Sequence, residues 1–453
     1  MEYLGLWMFL AAILILIIGY PVAFSLGGTA LLFTVLFSDM LPSVGLEFPW
    51  DPAFRLTRIN IFPNRVFNIM ENYTLVAVPF FVFMGVMLEK SGLAEELLET
   101  MGMLFGKLRG GLAISIVAVG ALLAASTGVV GASVVTMGVL ALPVMLRYRY
   151  NKGLATGVIA SSGTLGQIIP PSIVLVILGD QIGVSVGSLF LGAFLPGLML
   201  AGLFMLWVIV VAILRPSEAP ALPDEARTIH GTALFVKVLR SLLPPLFLML
   251  VVLGTIFMGI ATPTEAGAMG AVGATLLAVI NRKLNLRNLY AVMGQTVKLT
   301  SMVFLILVGA TVFGMVFSAL RGPQVVDAFL IDLPGGEMGF ILFTMLVIFI
   351  LGFFIDFIEI TFIVVPVIAP IAILSFGLDP VWFGVLIAMN LQASFITPPF
   401  GFALFYLKGV CPPGIETKDI YRGIVPFVCI QLLALVILVL YPEIATWLPS
   451  LAR

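Results

Sequence analysis

Uncharged apolar runs recur from one end of the chain to the other, separated by short segments that hold most of the charged residues. Many of the runs reach about 20 residues, the length that an α-helix needs to cross the hydrocarbon core of a bilayer. The pattern therefore predicts an all-α polytopic membrane protein. Composition agrees, because 61% of the 453 residues are hydrophobic, 10% are charged and the mean hydropathy is +1.21.

The polar segments indicate how the chain crosses the membrane. Cytoplasmic loops of membrane proteins carry an excess of Lys and Arg. By this rule we assign five segments to the cytoplasmic side: Lys107/Arg109, Arg147/Arg149/Lys152, the 215–240 linker, Arg282/Lys283/Arg287 and Lys418/Arg422. Counting the crossings between these segments predicts that both termini lie on the outer, periplasmic side.

Two apolar segments are predicted to be re-entrant helical hairpins. Segment 111–146 has basic clusters at both ends, so it should enter the membrane and return on the cytoplasmic side. Its predicted tip runs from Ala125 to Gly128, where small and hydroxylic residues interrupt the apolar pattern. Segment 338–376 has acidic flanks instead. It is predicted to enter from the outer side.

Two other apolar segments each contain a Pro-Pro pair, within Gly166–Ser172 and within Phe395–Gly401. Proline removes a backbone donor and clashes with the preceding helical turn, so each pair should break its helix. Lipid cannot satisfy the carbonyl groups that a break frees, and the break must therefore face protein or a polar cavity. Two broken transmembrane helices suggest a binding site.

The same elements occur twice in the same order, which predicts an inverted structural repeat. Each half has an odd number of full crossings, so the halves should be inverted relative to each other, as is characteristic of secondary transporters. The first repeat is residues 1–214, with scaffold spans 4–89, an arm 91–110, a hairpin and broken helix 111–180, and a span 186–214. The cytoplasmic linker is 215–240. The second repeat is 241–453, with scaffold spans 241–320, an arm 323–333, a hairpin and broken helix 338–408, and a span 424–442.

Segment 38–72 is predicted to be a long outer loop. It has three arginines, Arg55, Arg58 and Arg65, and four acidic residues. The resulting net charge of −1 fits the outer side. We expect this loop to form part of a docking surface for a partner subunit.

Several motifs in this order resemble the large membrane subunit of a tripartite ATP-independent periplasmic (TRAP) transporter, and the resemblance spans nearly the whole chain. The matching segments are Val78–Val82 with Leu88–Gly92, Gly166–Ser172, Gly259–Ala266 and Ile396–Gly401. The resemblance implies an elevator-type, sodium-coupled importer of organic acids, such as C4-dicarboxylates, in a bacterial inner membrane. No resident cofactor is expected, and sodium is the coupling ion.

The resemblance also implies two protein partners: a small membrane subunit and a periplasmic substrate-binding protein. Because the first predicted span begins close to Met1, we expect the small subunit to be a separate chain. The other expected partners are the organic acid itself and the lipid bilayer. With a net charge of −1, nucleic acid is not expected.

Hairpin tips and helix breaks form the expected site, because a helix N-terminus attracts an anion and unwound carbonyls coordinate a small cation. Residues expected to bind the substrate are Ser126, Thr127, Ser172, Asn390 and Thr397. Residues expected to coordinate sodium, largely through backbone carbonyls, are Ser126, Gly128, Gly163, Gly166, Gly352, Asp356, Thr397 and Pro398. In the alternative interpretation, the small residues only permit close helix packing.

Three acidic residues stand out within apolar sequence. Asp356 and Glu359 lie three positions apart on the second predicted hairpin. Because a buried carboxylate in a membrane is costly, such residues are usually functional. The two residues could bind sodium, take up a proton, or lie exposed at an aqueous hairpin tip. Glu265 follows Pro263 at the start of a span, where we expect it to stabilise the helix terminus.

We expect segments 111–180 and 338–408 to move as one transport domain against the other spans. The alternative is a proton-coupled organic anion transporter or an ion-translocating subunit of a larger membrane complex. The buried Lys and Glu residues typical of the latter are scarce here. We do not expect an enzyme, because the sequence has one His, two Cys, no His-Glu-x-x-His motif and no nucleotide-binding Gly-x-x-x-x-Gly-Lys loop.

Overall fold

A computed structural model describes residues 3–37, 61–127, 130–223, 225, 229, 231–399 and 401–452, except the side chains of residue 94 and residues 124–127. Within these ranges the chain is predominantly α-helical and has no β-strand. Among the described residues, six helices are long and apolar enough to cross a membrane, or up to eight if each of two bent helix pairs counts as one span. The all-α polytopic membrane fold is thereby confirmed. Most of the predicted outer loop, 38–60, lies outside the described residues.

The first half contains short apolar helices, an arm helix, two hairpin helices and a broken helix. In chain order they are α1 Leu4–Ile18, α2 Val22–Val35, α3 Phe62–Met70, α4 Ala77–Lys90, α5 Leu93–Phe105, α6 Gly111–Thr127, α7 Val130–Arg147, α8 Lys152–Thr164, α9 Ile173–Ile182 and α10 Val186–Leu214.

The second half contains the same kinds of element. In chain order they are α11 Gly231–Phe257, α12 Pro263–Ile280, α13 Leu286–Ala319, α14 Gly322–Ile331, α15 Gly336–Leu351, α16 Phe357–Ile363, α17 Val365–Pro370, α18 Pro380–Phe395, α19 Phe402–Val410, α20 Thr417–Leu440 and α21 Glu443–Leu451. A π-helical turn, Ile371–Ser375, follows α17. The inversion of one half relative to the other stays a prediction from the sequence.

Polar side chains explain where two of these helices begin. At α8, the Asn151 side chain accepts hydrogen bonds from the backbone N–H groups of Gly153 (2.8 Å) and Leu154 (3.2 Å). At α12, Thr262 and Glu265 form a capping box, in which each side chain accepts from the other residue's backbone N–H. The predicted role of Glu265 at a helix terminus is confirmed.

The predicted hairpins and arms are helical. Helices α6 and α7 occupy the first hairpin, and α15, α16 and α17 occupy the second. Within the second hairpin the chain bends by 44° between α16 and the helix that continues to Ser375. The arm helices α5 and α14 follow α4 and α13, and the axis turns by 63° between α4 and α5.

One group of helices, which we name the scaffold group, consists of α1, α2, α4, α11, α12 and α13. Its members approach each other closely at glycines. A Cβ atom added to Gly309 of α13 would clash with the carbonyl oxygen of Ala23 in α2. One added to Gly270 of α12 would lie 2.5 Å from the sulfur of Met84 in α4. Small residues at such crossings let membrane helices pack backbone to backbone.

The broken helices form the centre of a second group. Every residue from 154 to 179 and from 381 to 396 is buried. A helix that is apolar and buried on all sides lies inside the protein rather than at its surface. The broken-helix group therefore has α8, α9 and α18 at its core, with the hairpins packed against them.

Helices α10, α20 and α21 pack onto the same group. Helix α20 crosses α8 so closely that a Cβ atom added to Gly423 would clash with the backbone of Gly153. The Trp382 indole of α18 donates a hydrogen bond to the Leu438 carbonyl of α20 (2.8 Å). The rings of Phe204 in α10 and Phe427 in α20 meet edge to face at 5.3 Å. We include α10, α20 and α21 in the broken-helix group.

Candidate functional site

The first helix break lies between α8 and α9. Helix α8 ends at Thr164 in a short 3₁₀ turn, Leu165–Gln167, and the Pro170–Pro171 peptide bond is cis. Ser172 is extended and precedes α9, and its hydroxyl donates a hydrogen bond to the Gln167 carbonyl (2.7 Å). The predicted substrate residue Ser172 thus satisfies one backbone carbonyl inside the break.

The second break lies between α18 and α19. The Pro398–Pro399 bond is also cis. The Thr397 hydroxyl donates to the Ala393 carbonyl (2.7 Å), and the Tyr421 hydroxyl of α20 donates to the Pro399 carbonyl (2.7 Å). A tyrosine from another helix therefore satisfies a carbonyl group at this break, which is the compensation that a broken membrane helix requires.

The two breaks are connected by buried side chains. The Gln392 amide of α18 donates to the Thr164 hydroxyl of α8 across 3.4 Å, and both side chains are fully buried. These residues are 228 positions apart in the sequence. Folding thus brings the ends of α8 and α18 together in the middle of the broken-helix group.

Buried polar atoms without a partner occur within a few residues of Thr164 along the chain, and on Gln392 itself. Within the described part of the chain, Ser162 Oγ, both amide atoms of Gln167 and Gln392 Oε1 are buried and have no hydrogen-bond partner. Each such group costs about 1–3 kcal/mol when it is left unsatisfied. Hydroxyl and amide oxygens are suitable ligands for a small hard cation. These oxygens have the chemistry of cation ligands, and sequence reasoning located them only in part.

The sequence interpretation missed Gln167 and also Gln392. The signal for Gln392 was present, because a glutamine within the apolar stretch that forms α18 is unusual in a membrane helix. Asn390, which the sequence predicts to bind substrate, lies two positions earlier. Its amide donates to the Met345 carbonyl of α15 (2.6 Å), and its side chain is buried in that helix contact.

The predicted glycine ligands lie at close helix contacts. A Cβ atom added to Gly163 would clash with Val134 of α7, and one added to Gly352 would clash with Ser394 of α18. Both glycines therefore permit hairpin helices to pack on broken helices, which is the alternative role that the sequence left open. Gly166 is buried within the 3₁₀ turn, and Pro398 is half-buried.

The tip of the first hairpin is described only in part. Ser126 and Thr127 belong to the last turn of α6, but their side chains lie outside the described part of the chain. Gly128 lies outside the described residues altogether. The predicted roles of these three residues stay predictions.

The second hairpin tip places its two carboxyl groups differently. Asp356 caps α16 and accepts a hydrogen bond from the backbone N–H of Phe357 (2.6 Å). Glu359 lies one turn further, is 6% exposed, and has an Oε2 atom without a hydrogen-bond partner in the described structure. The pair therefore combines a carboxylate at a cavity surface with one inside the protein.

That cavity, which we name the Asp356 cavity, has a volume of about 480 Å³. It is the place where the two hairpins and the two breaks face the scaffold group. Its walls include Val130 next to the first tip, Asp356, Ile173 after the first break, Phe395 at the second, and Glu89 and Gln295 from α4 and α13. The cavity is large enough for a small organic solute.

The scaffold wall of this cavity is charged. Lys90 and Glu89 are adjacent on α4, with 3.9 Å between the ammonium nitrogen and a carboxylate oxygen. The hydroxyl of Thr136, from the first hairpin, donates to the same Glu89 oxygen across 3.4 Å. One hydrogen bond thus spans the boundary between the scaffold group and a hairpin.

Comparison with known proteins places the chain in context. A family model described as "Tripartite ATP-independent periplasmic transporter, DctM component" matches residues 9–444. Two relatives come from Vibrio cholerae serotype O1. The C4-dicarboxylate TRAP transporter large permease protein is 32% identical to this chain, over 98% of this chain and 97% of its own length. The sialic acid TRAP transporter large permease protein is 30% identical, over 96% of this chain and 96% of its own length.

A solved structure has the same fold. The Alcanivorax borkumensis YdaH transporter superposes with a TM-score of 0.66, covers 93% of this chain and 98% of its own, and shares 13% sequence identity. At that identity the match concerns the fold alone.

Proposed function

The chain belongs to the DctM component family of tripartite ATP-independent periplasmic transporters, and on that premise we propose that it is the translocation subunit of a sodium-coupled, binding-protein-dependent importer of organic acids. Its relatives are transporter permeases, so it is a transporter and not an enzyme. The observation that carries the proposal is the Asp356 cavity, where both hairpins and both breaks converge on the scaffold group.

We propose that sodium ions bind at the breaks, where unpartnered oxygens of Ser162, Gln167 and Gln392 are already buried. A cation there would offset the cost of burying these groups and would fix the ends of α8 and α18. The helix N-termini beyond the breaks then favour a carboxylate in the cavity. Because both ligands stabilise the same arrangement, each should raise the affinity for the other by the same factor.

The proposed motion is an elevator-type displacement of the broken-helix group against the scaffold group. Packing supports a larger moving unit than segments 111–180 and 338–408 alone. Helix α20 is joined to α8 at Gly423 and to α18 by the Trp382 hydrogen bond. Gly192 of α10 packs against α18 and α21, so we include all three helices. The arm helices α5 and α14 would then connect the two units.

Substrate identity is open between carboxylates. Two relatives from one organism have names that specify a C4-dicarboxylate and sialic acid, and this chain is 32% and 30% identical to them. Such similar values select neither substrate. We propose an organic acid, a C4-dicarboxylate or another carboxylate, delivered by a periplasmic binding protein to this chain and a small membrane subunit in a bacterial inner membrane.

Thermal unfolding in different salts tests the sodium proposal without a known substrate. The purified protein would be melted in NaCl, KCl and choline chloride at equal ionic strength. A ligand at ten times its dissociation constant stabilises the native state by about 1.4 kcal/mol. A sodium-specific rise that Thr397→Leu removes supports the proposal, and no rise in a correctly folded protein refutes sodium binding. In uptake assays, Ser126→Leu and Thr397→Leu should abolish transport while expression is retained.

One observation favours proton coupling as the second candidate. Glu359 is buried and one of its oxygens has no partner among the described residues, which suits a carboxyl group that takes up and releases a proton. Uptake driven by a pH gradient in the absence of sodium, and lost in Glu359→Gln, would establish this candidate instead.

A further inference from the structure

A second cavity lies further along the second hairpin and α13. It has a volume of about 510 Å³ and is walled by α2, α3, α13, the residues near the end of α9, and α16 with α17. We name it the Arg65 cavity, after the residue that α3 contributes. Its polar lining also includes Gln181, Thr311 and Ser318.

Arg65 gives this cavity a positive charge. It is the only charged residue among the described residues that line it, and it forms no salt bridge within the described part of the chain. Asp180, which adjoins the lining residue Gln181, is already held by amides. Asn72 Nδ2 donates to one of its oxygens (2.6 Å) and Gln181 Nε2 to the other (2.8 Å). The guanidinium is exposed and available to an anion.

The two cavities share walls, because α13 and α16 line both of them. Helix α16 has seven residues, and Phe357 and Ile358 at its start line the Asp356 cavity. Phe362 near its end, and Pro366 just beyond it, line the Arg65 cavity. Both cavities therefore adjoin the short second hairpin, which belongs to the unit that we propose to move.

We propose that the Arg65 cavity is a second carboxylate-binding site, which the substrate occupies before it reaches the Asp356 cavity, and that Arg65 recognises its carboxylate. The inference rests on the proposed function and adds an entry site to it. A guanidinium binds a carboxylate through paired, charge-assisted hydrogen bonds. A cavity lined by one sign of charge also concentrates ions of the opposite sign. The predicted topology puts α3 on the outer side, where substrate arrives.

Thiol labelling measures this charge directly. Cys411 and Cys429 would first be replaced by Ser, and Thr311→Cys would then place a single thiol in the cavity. The purified full chain is labelled with methanethiosulfonates of similar size that carry a sulfonate or a trimethylammonium group. Arg65 should favour reaction with the sulfonate reagent. The labelling rate with the sulfonate reagent, divided by that with the trimethylammonium reagent, should fall about fivefold or more in Arg65→Gln. Succinate should slow labelling at least threefold with Arg65 present, and not in Arg65→Gln.

Matched controls separate a local field from a general loss of charge. Lys90→Gln also removes one positive charge, but from the Asp356 cavity, so it should leave the ratio at Thr311→Cys within twofold. Ser318→Cys provides a second reporter if Thr311→Cys does not fold, and Arg65→Lys should retain most of the ratio. The inference is overturned if Arg65→Gln leaves this rate ratio unchanged at both reporters. It is also overturned if Lys90→Gln lowers the ratio as much as Arg65→Gln does.

Protection by succinate provides an independent test. If succinate slows labelling equally with and without Arg65, the residue does not recognise the carboxylate and the inference fails. Its failure is distinguishable from failure of the proposed function. If sodium raises the melting temperature but Arg65 has no effect on labelling, only the entry site is refuted. If succinate protection depends on Arg65 but sodium has no effect on melting, the entry site stands and sodium coupling is refuted.

Discussion

Gln392→Leu should separate a sodium ligand from a residue that only fills space. The Gln392 amide makes one long hydrogen bond, 3.4 Å to Thr164, and its Oε1 atom is buried without a partner among the described residues. Leucine is similar in size and has no polar atoms. Removing an unsatisfied buried group recovers about 1–3 kcal/mol, so the variant should be at least as stable as the wild type in choline chloride.

Sodium should reverse that order. If Oε1 coordinates sodium, the wild type gains about 1.4 kcal/mol at ten times the dissociation constant and the variant gains nothing. The gap in stability between the two proteins should therefore close or change sign between choline chloride and NaCl. Differential thermal unfolding at constant ionic strength measures it.

Gln431→Leu is the matched control. Gln431 lies on α20, is 2% exposed, and has two amide atoms without a partner in the described structure. It is not part of the contact between the two breaks. This variant should gain stability in choline chloride and keep the full sodium increment. A full increment in Gln392→Leu, or an equal loss in both variants, would refute the assignment of Gln392 as a ligand.

Three further predictions concern packing, the second break and the coupling ion. Gly423→Ala should destabilise the protein by about 1–3 kcal/mol, because the atoms nearest to its new methyl group are backbone atoms of α8. Gly202→Ala is the control and should not destabilise the protein, because no neighbouring atom lies within 4 Å of its methyl group. Melting curves of the two variants test this prediction. Thr397→Phe should stop sodium-driven uptake in proteoliposomes that contain the partner subunits, and wild-type rates would exclude this break as part of the site. Glu359→Gln should leave sodium-driven uptake within twofold of the wild type if sodium is the coupling ion, and a complete loss would favour the proton-coupled alternative.

The elements that the sequence predicts well are those with local causes. Proline removes a backbone donor, and both breaks lie at Pro-Pro pairs as predicted. The pair alone does not decide the outcome, because Pro244 and Pro245 lie inside the continuous helix α11. Charged flanks limited how segments 111–146 and 338–376 could enter a membrane, and helices occupy both of them. The capping role of Glu265 likewise depends on residues three positions away.

Side-chain roles that depend on distant partners could not be predicted in the same way. Asn390 and Gln392 look alike in the sequence, since each is a polar residue in the same apolar helix. Only the fold distinguishes them: Asn390 meets a carbonyl of α15, whereas Gln392 meets Thr164 from the other half of the chain. Glycine is ambiguous for the same reason, because Gly163 and Gly352 serve close packing whether or not their carbonyls also bind an ion.

The packing around the breaks bears on how ion and substrate binding could be coupled. Gly423 touches α8 through backbone, Gly163 touches α7, and Gly352 touches α18, so none of these contacts can slide without separating two helices. Interiors packed in this way transmit displacement instead of absorbing it. A sodium ion that fixes Gln392 against Thr164 would therefore also fix the hairpins that line the Asp356 cavity. Ion binding at the breaks should thus control the cavity through rigid packing, even though Gln392 and Thr164 themselves do not line it.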